Sequence, residues 1–354
     1  MRRGAIVGVG GVSLNAHVPG WLKRDDVTIV AATDTDGARR PEVEARLPDV
    51  RWYDSTAALL AREAFDFVDV CTPPSSHAGI IASALDRNLH VLCEKPLVRS
   101  LDELALVVGR ASATGRVLHT VHNWHHAPIV QRVRELVCDG AIGGLRHVTW
   151  HTLRRKPAAG RDPADNWRVD PGVAGGGVLT DHGWHVFYVL GRWIGERPTA
   201  VSATLETRRH TQFAVEDTAT VRLTYPEATA EVLLTWASDE RRNHAELTGT
   251  AGSIRLEDDT VILTRPGHAT TEERWSCPPA LSDGSHHPDW FHEVAEQFMR
   301  ALDAPAPGSG NLVEASLCVV LEALARESSR RHGAALSVEM PPAPLPAAVA
   351  GLLA

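Results

Sequence analysis

Cysteine is scarce. Cys71, Cys93, Cys138, Cys277 and Cys318 are the five in 354 residues, an odd number with no C-x-x-C spacing. That disfavours a disulfide framework or a zinc knuckle and leads to the expectation of a reducing, cytoplasmic setting. No apolar run approaches the roughly 18 residues that a membrane span needs, so no membrane partner is expected. Excess positive charge is also missing. A formal net charge of -8 makes a nucleic-acid backbone an unfavoured partner. Met1-Arg2-Arg3 runs directly into a strand-like segment, which leaves no room for a signal peptide. What is present is an ordinary globular composition, 44% hydrophobic and 23% charged. The length suggests about two domains.

The first third alternates strand and helix. Apolar runs at Ala5–Val9, Val27–Ala32, Phe67–Cys71, Leu89–Cys93 and Val117–Val121 suit strands buried on both faces of a parallel sheet. Ser100 with Glu103 forms a capping-box pattern before Leu101, Leu104, Val108 and Ala111, and Gly115 ends the run. This alternation predicts a doubly wound Rossmann domain over residues 1–122. Beyond it, Leu145–Leu153, Ala200–Thr207, Thr218–Tyr225, Thr229–Trp236 and Ala245–Thr248 alternate polar and apolar residues. They predict a C-terminal α+β domain over 123–340 with a large, mostly antiparallel open sheet. Helices are predicted at Pro128–Cys138, Thr180–Trp193, Trp290–Leu302 and Leu312–His332. Residues 341–354 form a proline-rich tail that cannot be one continuous helix.

Gly8-Val9-Gly10-Gly11-Val12-Ser13 follows the first run. Gly8 permits a tight turn, Gly10 allows a pyrophosphate close to the backbone, and the next helix N-terminus favours its charge. The sixth position is Ser13, still small. Asp34 lies 21 residues past Ser13, at the end of the second run, where a carboxylate accepts from ribose hydroxyls and repels a 2′-phosphate. NAD is therefore expected over NADP, with Arg39 and Arg40 close enough to keep NADP open.

Two further segments carry a resemblance: Cys93-Glu94-Lys95-Pro96, and Gly175-Gly176-Gly177-Val178-Leu179-Thr180-Asp181-His182-Gly183-Trp184-His185. Together with the glycine-rich start they resemble the glucose-fructose oxidoreductase / inositol dehydrogenase / rhizopine catabolism (Gfo/Idh/MocA) family. Thr72-Pro73-Pro74-Ser75-Ser76-His77, Asn166-Trp167-Arg168-Val169-Asp170-Pro171 and Val215-Glu216-Asp217-Thr218 resemble its other segments in the right order. Two positions depart from it: Tyr188 stands where many members carry Asp, and His125-His126 where many carry an Arg-aromatic pair.

The resemblance implies an NAD(P)-dependent dehydrogenase or reductase acting on a hydroxyl or keto group of a sugar, cyclitol or sugar derivative. It also implies association as a homodimer or homotetramer through the C-terminal sheet. The expected catalytic residues are Lys95, Asp181 and His185. Lys95 steadies charge on oxygen, Asp181 hydrogen-bonds the substrate or Lys95, and His185 exchanges the proton. Asp181 and His185, four apart, would share a helix face. The cofactor is expected at Gly8, Gly10, Gly11, Val12, Asp34, Arg39, Thr72, Pro73, His77, Glu94, Lys95, Asn123, Trp167 and Arg168. Substrate is expected at Lys95, His125, Trp167, Asp181, His182 and His185. Gly175–Gly177 would let the chain pass close beneath the nicotinamide. Arg154-Arg155-Lys156 reads as a solvated basic loop or an anion site. Of the eighteen histidines, His122 and His126 have i,i+4 spacing, but the resemblance implies no metal. Two rival readings keep the fold. One is transient oxidation by a tightly held NAD, coupled to elimination or hydrolysis. The other is a non-catalytic NAD sensor.

Overall fold

The computed structural model describes residues 1–159, 166–267, 270–303 and 310–339. The expected proline-rich tail and residues 160–165, ahead of the Asn166-Trp167-Arg168 segment, lie outside them. Two compact units result.

The first unit contains Met1–Asn123 and Ser285–Ser316. Its strands are β1 (Arg2–Val7), β2 (Val27–Thr33), β3 (Arg51–Tyr53), β4 (Phe67–Val70), β5 (His90–Cys93) and β6 (Leu118–Thr120). They form one parallel sheet in the order β3-β2-β1-β4-β5-β6. Every residue of β4 and β5 is buried, Asp69 and His90 among otherwise apolar side chains, as suits strands covered on both faces. The order reverses at β1, so a crevice forms at the carboxyl ends of β1 and β4, where such sheets bind ligands. Ser100 caps the helix Leu101–Thr114 by accepting from Glu103 N–H at 3.1 Å, and Gly115 ends it with φ +65°.

The predicted helix near 290–302 forms as Pro288–Asp303 but packs in this first unit, not with the sheet that precedes it in the chain. Phe298 meets Phe67 at 5.4 Å between ring centroids, and Phe291 meets Trp21 at 5.6 Å. Burying each such ring stabilises the unit by about 1.5–3 kcal/mol.

The second unit contains Trp124–Gly284 and Leu317–Met340. Its strands are β7 (Leu145–Leu153), β8 (Ala200–Glu206), β9 (Thr218–Thr224), β10 (Thr229–Thr235), β11 (Arg242–Gly249), β12 (Ser253–Glu257), β13 (Thr260–Arg265), β14 (Thr271–Ser276) and β15 (Leu336–Ser337). They form one sheet, β14-β13-β12-β11-β7-β10-β9-β8-β15, antiparallel except between β7 and β10. One face is apolar: Trp150 packs on Trp193 at 5.5 Å, and Trp193 Nε1 donates to the Val130 carbonyl at 3.1 Å. That face is covered by the helices Pro128–Cys138 and Trp184–Ile194. The other carries polar residues such as Arg222 and Glu231, paired at 2.8 Å.

Candidate active site

In the first unit the site begins at the glycine turn. Gly8 has φ +90°, and a Cβ there would lie 2.8 Å from the Cys71 carbonyl carbon, so only glycine fits. Around Gly10 the Cβ direction is open, with nothing within 4 Å. A Cβ on Gly11 would stand 3.7 Å from His286 Nε2. Val12 already has helical backbone angles, and Leu14 N–H donates to the Gly10 carbonyl at 3.0 Å. The open backbone at Gly10, followed at once by a helix start, fits a dinucleotide pyrophosphate.

Asp34 braces this turn. One carboxylate oxygen accepts from Val9 N–H at 2.7 Å and the other from Asp36 N–H at 2.8 Å. A carboxylate offers about four acceptor positions, which leaves capacity for ribose hydroxyls. Arg39 reaches the same turn, with Nε 3.4 Å from Asp36 and a 3.4 Å contact to the Val9 carbonyl. Arg40 instead pairs with Glu44 on an exposed helix face.

Thr72 and Pro73 follow β4. His77, expected at the cofactor, is fully buried, with its ring nitrogens 2.9 Å from the Pro96 carbonyl and 2.8 Å from the Thr72 carbonyl. It therefore ties the Thr72 loop to the Lys95-Pro96 segment, and burial pushes its pKa down. The Lys95-Pro96 bond is cis. Glu94 Oε2 accepts from Lys95 N–H at 2.9 Å. Asn123 leaves its Oδ1 buried without a hydrogen-bond partner, an acceptor that a bound N–H donor would satisfy. His122, on β6's exit, pairs with Glu314 at 2.8 Å. Asn123–His126 forms one short turn, so His122 and His126 do not share a helical face.

In the second unit, Asp170 caps the short helix Pro171–Ala174, accepting from Gly172 N–H at 2.8 Å. Gly175 follows with φ +89°. The glycine triplet is closely packed within this unit. A Cβ on Gly177 would run into the Glu216 carbonyl, and one on Gly176 into the Arg326 guanidinium. The small residues answer to packing inside this unit. Glu216, nearly buried, accepts from Gly177 N–H at 3.0 Å and Leu179 N–H at 3.2 Å, while Arg326 grips both of its oxygens at 3.1–3.2 Å.

This brace sets the wide turn Leu179–Gly183, which leads into Trp184–Ile194. Asp181, on the turn, lies 3.5 Å from His182 Nε2. His185 is 7% exposed. Its Nδ1 is 2.8 Å from Tyr188 Oη, and its ring stacks on Trp124 at 4.4 Å and 14°. Tyr188 Oη also accepts from Trp124 N–H at 3.0 Å. Tyr188 departs from the family pattern at this position. Here it orients the imidazole. His125 is buried with its ring 4.5 Å from that of Tyr188. Trp167 and Arg168 pair with each other, the guanidinium 4.4 Å over the indole. Arg154 is no solvated loop residue. It is buried, donating to the Leu153 and Arg242 carbonyls at 2.8 and 3.1 Å, and burial lowers its pKa to about 10.

Comparison with known proteins agrees. Residues 2–122 match the oxidoreductase family with an NAD-binding Rossmann fold, and residues 130–255 match the GFO/IDH/MocA C-terminal domain. The chain belongs to this family of NAD(P)-binding oxidoreductases. It is 32% identical to D-xylose 1-dehydrogenase (NADP(+)) 2 of Haloferax volcanii, over 84% of this chain and 88% of the relative. It is 28% identical to D-apiose dehydrogenase of Paraburkholderia graminis, over 79% and 74%. Among solved structures, an inositol dehydrogenase homolog complexed with NAD+ from Azotobacter vinelandii superposes with a TM-score of 0.79. It covers 95% of this chain and 97% of that one at 24% identity, a likeness of fold. The chain is thus an NAD(P)-dependent dehydrogenase of CH–OH groups by family. No described helix is long and apolar enough to cross a membrane.

Proposed function

We propose that this enzyme oxidises a ring hydroxyl of a free sugar, with pentoses the first candidates because the relatives above are named for D-xylose and D-apiose. The observation that carries the reading is the imidazole of His185, held at 2.8 Å by Tyr188 and stacked on Trp124. A titratable ring so held suits proton transfer.

A bound nicotinamide would supply the acceptor for the hydride that leaves the carbinol carbon. Gly8, Gly10, Gly11, Val12 and Asp34 hold the dinucleotide, with Arg39, Thr72, Pro73 and Asn123 beside it. Trp167 and Arg168 serve cofactor or sugar as one stacked pair. His185 takes the hydroxyl proton during oxidation and returns it during reduction. Lys95 donates to a substrate oxygen and lowers the alcohol's effective pKa, while Asp181 accepts from the sugar. His182 and His125 shape the sugar side. The carboxylate at Asp34 favours NAD. Five free thiols fit a reducing compartment. The polar face of the large sheet is assigned to self-association, for which sedimentation showing a monomer would be a refutation.

The test is turnover with NAD or NADP across pentoses, hexoses, glucosides and inositols. Stoichiometric NADH formation with one sugar class, lost in Lys95→Ala while NAD still binds, is the expected result. Full activity in Lys95→Ala would remove the assigned role. Turnover without added NAD and without NADH accumulation would move the chemistry to transient oxidation.

A further inference from the structure

Beneath the glycine turn lies a buried polar cluster that the chemistry above leaves unused. The first turn of the following helix is wide: Val18 N–H donates to the Ser13 carbonyl, five residues back. His17 sits on this turn, fully buried, with its ring stacked on Phe291 at 3.8 Å. Its Nδ1 is 2.9 Å from Asp69 Oδ2 and 3.1 Å from Cys71 Sγ, and its Nε2 is 2.9 Å from Glu94 Oε1. Trp21 Nε1 donates to the same Asp69 oxygen at 2.7 Å. Asp69 lies on β4, Cys71 just past it, and Glu94 just past β5.

We propose that His17 is a positioning residue: by bridging Asp69 and Glu94 it couples the helix behind the dinucleotide turn to the strand end that presents Lys95. The proposal rests on the assignment of Lys95 above. Glu94 is the shared element, since its second oxygen accepts Lys95 N–H at 2.9 Å.

Two ionised carboxylates only accept, so the ring between them must donate from both nitrogens and carry a charge. Burial works against that charge, but the Asp69 carboxylate outweighs it and holds His17 well above its ordinary range. Burial likewise raises Glu94, yet the bond from His17 and the charge of Lys95 keep it ionised. A neutral side chain at position 17 would leave two buried carboxylates without their shared cation. One would take a proton or turn away, and Lys95 would lose a fixed anchor. The ligand-type atoms of His17, Asp69 and Cys71 lie within 4.8 Å of one another, as a metal site would require. However, both ring nitrogens of His17 already face carboxylates, and Asp69 is engaged by Trp21 as well. The cluster is therefore a hydrogen-bond network.

The experiment uses the full-length protein. Nitrogen-15 histidine spectra at about pH 8 should show one ring protonated on both nitrogens, and that signal should vanish in His17→Gln. His17→Gln should lower kcat by about tenfold or more and move its pH profile, with NAD affinity within about threefold of wild type. Phe291→Leu is the control. It loosens the same core without deleting a hydrogen bond, and should reduce stability but hold kcat within about twofold. A neutral His17 ring in the wild type would overturn the proposal even if His17→Gln does not fold. So would unchanged kcat and pH profile in His17→Gln, equal losses in the two variants, or stoichiometric zinc in the purified protein. Retained turnover in Lys95→Ala would strike the catalytic reading alone, because the ring protonation is read without any substrate.

Discussion

Replacing Tyr188 by Phe keeps the ring and deletes one oxygen. That oxygen accepts from Trp124 N–H at 3.0 Å and lies 2.8 Å from His185 Nδ1, in a side chain that is 1% exposed. A buried N–H left unsatisfied costs about 1–3 kcal/mol, and losing the bond to the imidazole adds about 1 kcal/mol. The second unit should therefore lose about 2–4 kcal/mol, or roughly 4–16 °C in melting temperature for a unit of its size. The kinetic effect follows from tautomers. The phenol can donate to Nδ1 or accept from it, so it fits both neutral forms of His185. Only the form with the proton on Nδ1 carries its lone pair on Nε2, the nitrogen that would act as a base. Without the oxygen the ring keeps its stack on Trp124 but not this bond. The expected loss in kcat is about 10–100-fold, part of the 10²–10⁴ that a positioned acid–base group supplies, with the KM for NAD nearly unchanged. Steady-state kinetics with the best sugar, beside denaturant unfolding followed by tryptophan fluorescence, measure both effects. Wild-type kcat in a destabilised variant would show that the phenol serves only the fold. Wild-type stability would mean that Trp124 N–H finds another acceptor.

The two glycine motifs should respond oppositely to alanine. Gly177→Ala meets the Glu216 backbone and should lose about 1–3 kcal/mol of stability by thermal unfolding. Gly10→Ala projects into open space and should melt normally while NAD binds about tenfold more weakly by titration. Asp34→Asn keeps an acceptor for the turn but removes the charge, so the preference for NAD over NADP, measured as a ratio of kcat/KM, should fall by about tenfold or more. The pKa of His90 is depressed to about 4, chiefly by burial and then by Arg116, so between the ordinary value near 6.5 and about 4 the unfolded chain binds more protons. Stability should fall as pH drops through that window, by about 1–2 kcal/mol at about pH 5, and His90→Gln should remove this part of the slope in urea unfolding.

Much of this architecture can be read from local pattern. The helix Pro128–Cys138 and the strand Leu145–Leu153 keep their expected bounds, because a proline start and a strict alternation are local signals. Strand β3 gave no such signal. It is three residues long and begins with exposed Arg51. Strand β14 hides for a related reason, since Thr271–Ser276 is dominated by exposed charges along a sheet edge. The helix Pro288–Asp303 is amphipathic and was expected, but its apolar stripe does not say which core it enters. Phe291 and Phe298 join Trp21 and Phe67 from more than 200 residues away in the chain.

The site divides along the same line. Motif residues proposed to meet ligands, such as Gly10, Asp34 and Lys95, stand out because their residue type matches a chemical need. The residues that hold them do not. Glu216 reads as one more sheet residue until Gly177 and Leu179 are seen donating to it, and Tyr188 as a mere departure until its oxygen is found at His185. His17 looks like a helix residue until a wide turn and two carboxylates claim its ring. In each case the partner lies on another element or across an irregular turn, so spacing alone cannot reveal it. The glycine triplet shows the converse hazard. Its signature is strong, yet Arg326 and Glu216 occupy the space beside Gly176 and Gly177, so part of the motif reports packing within its own unit, which spacing does not reveal.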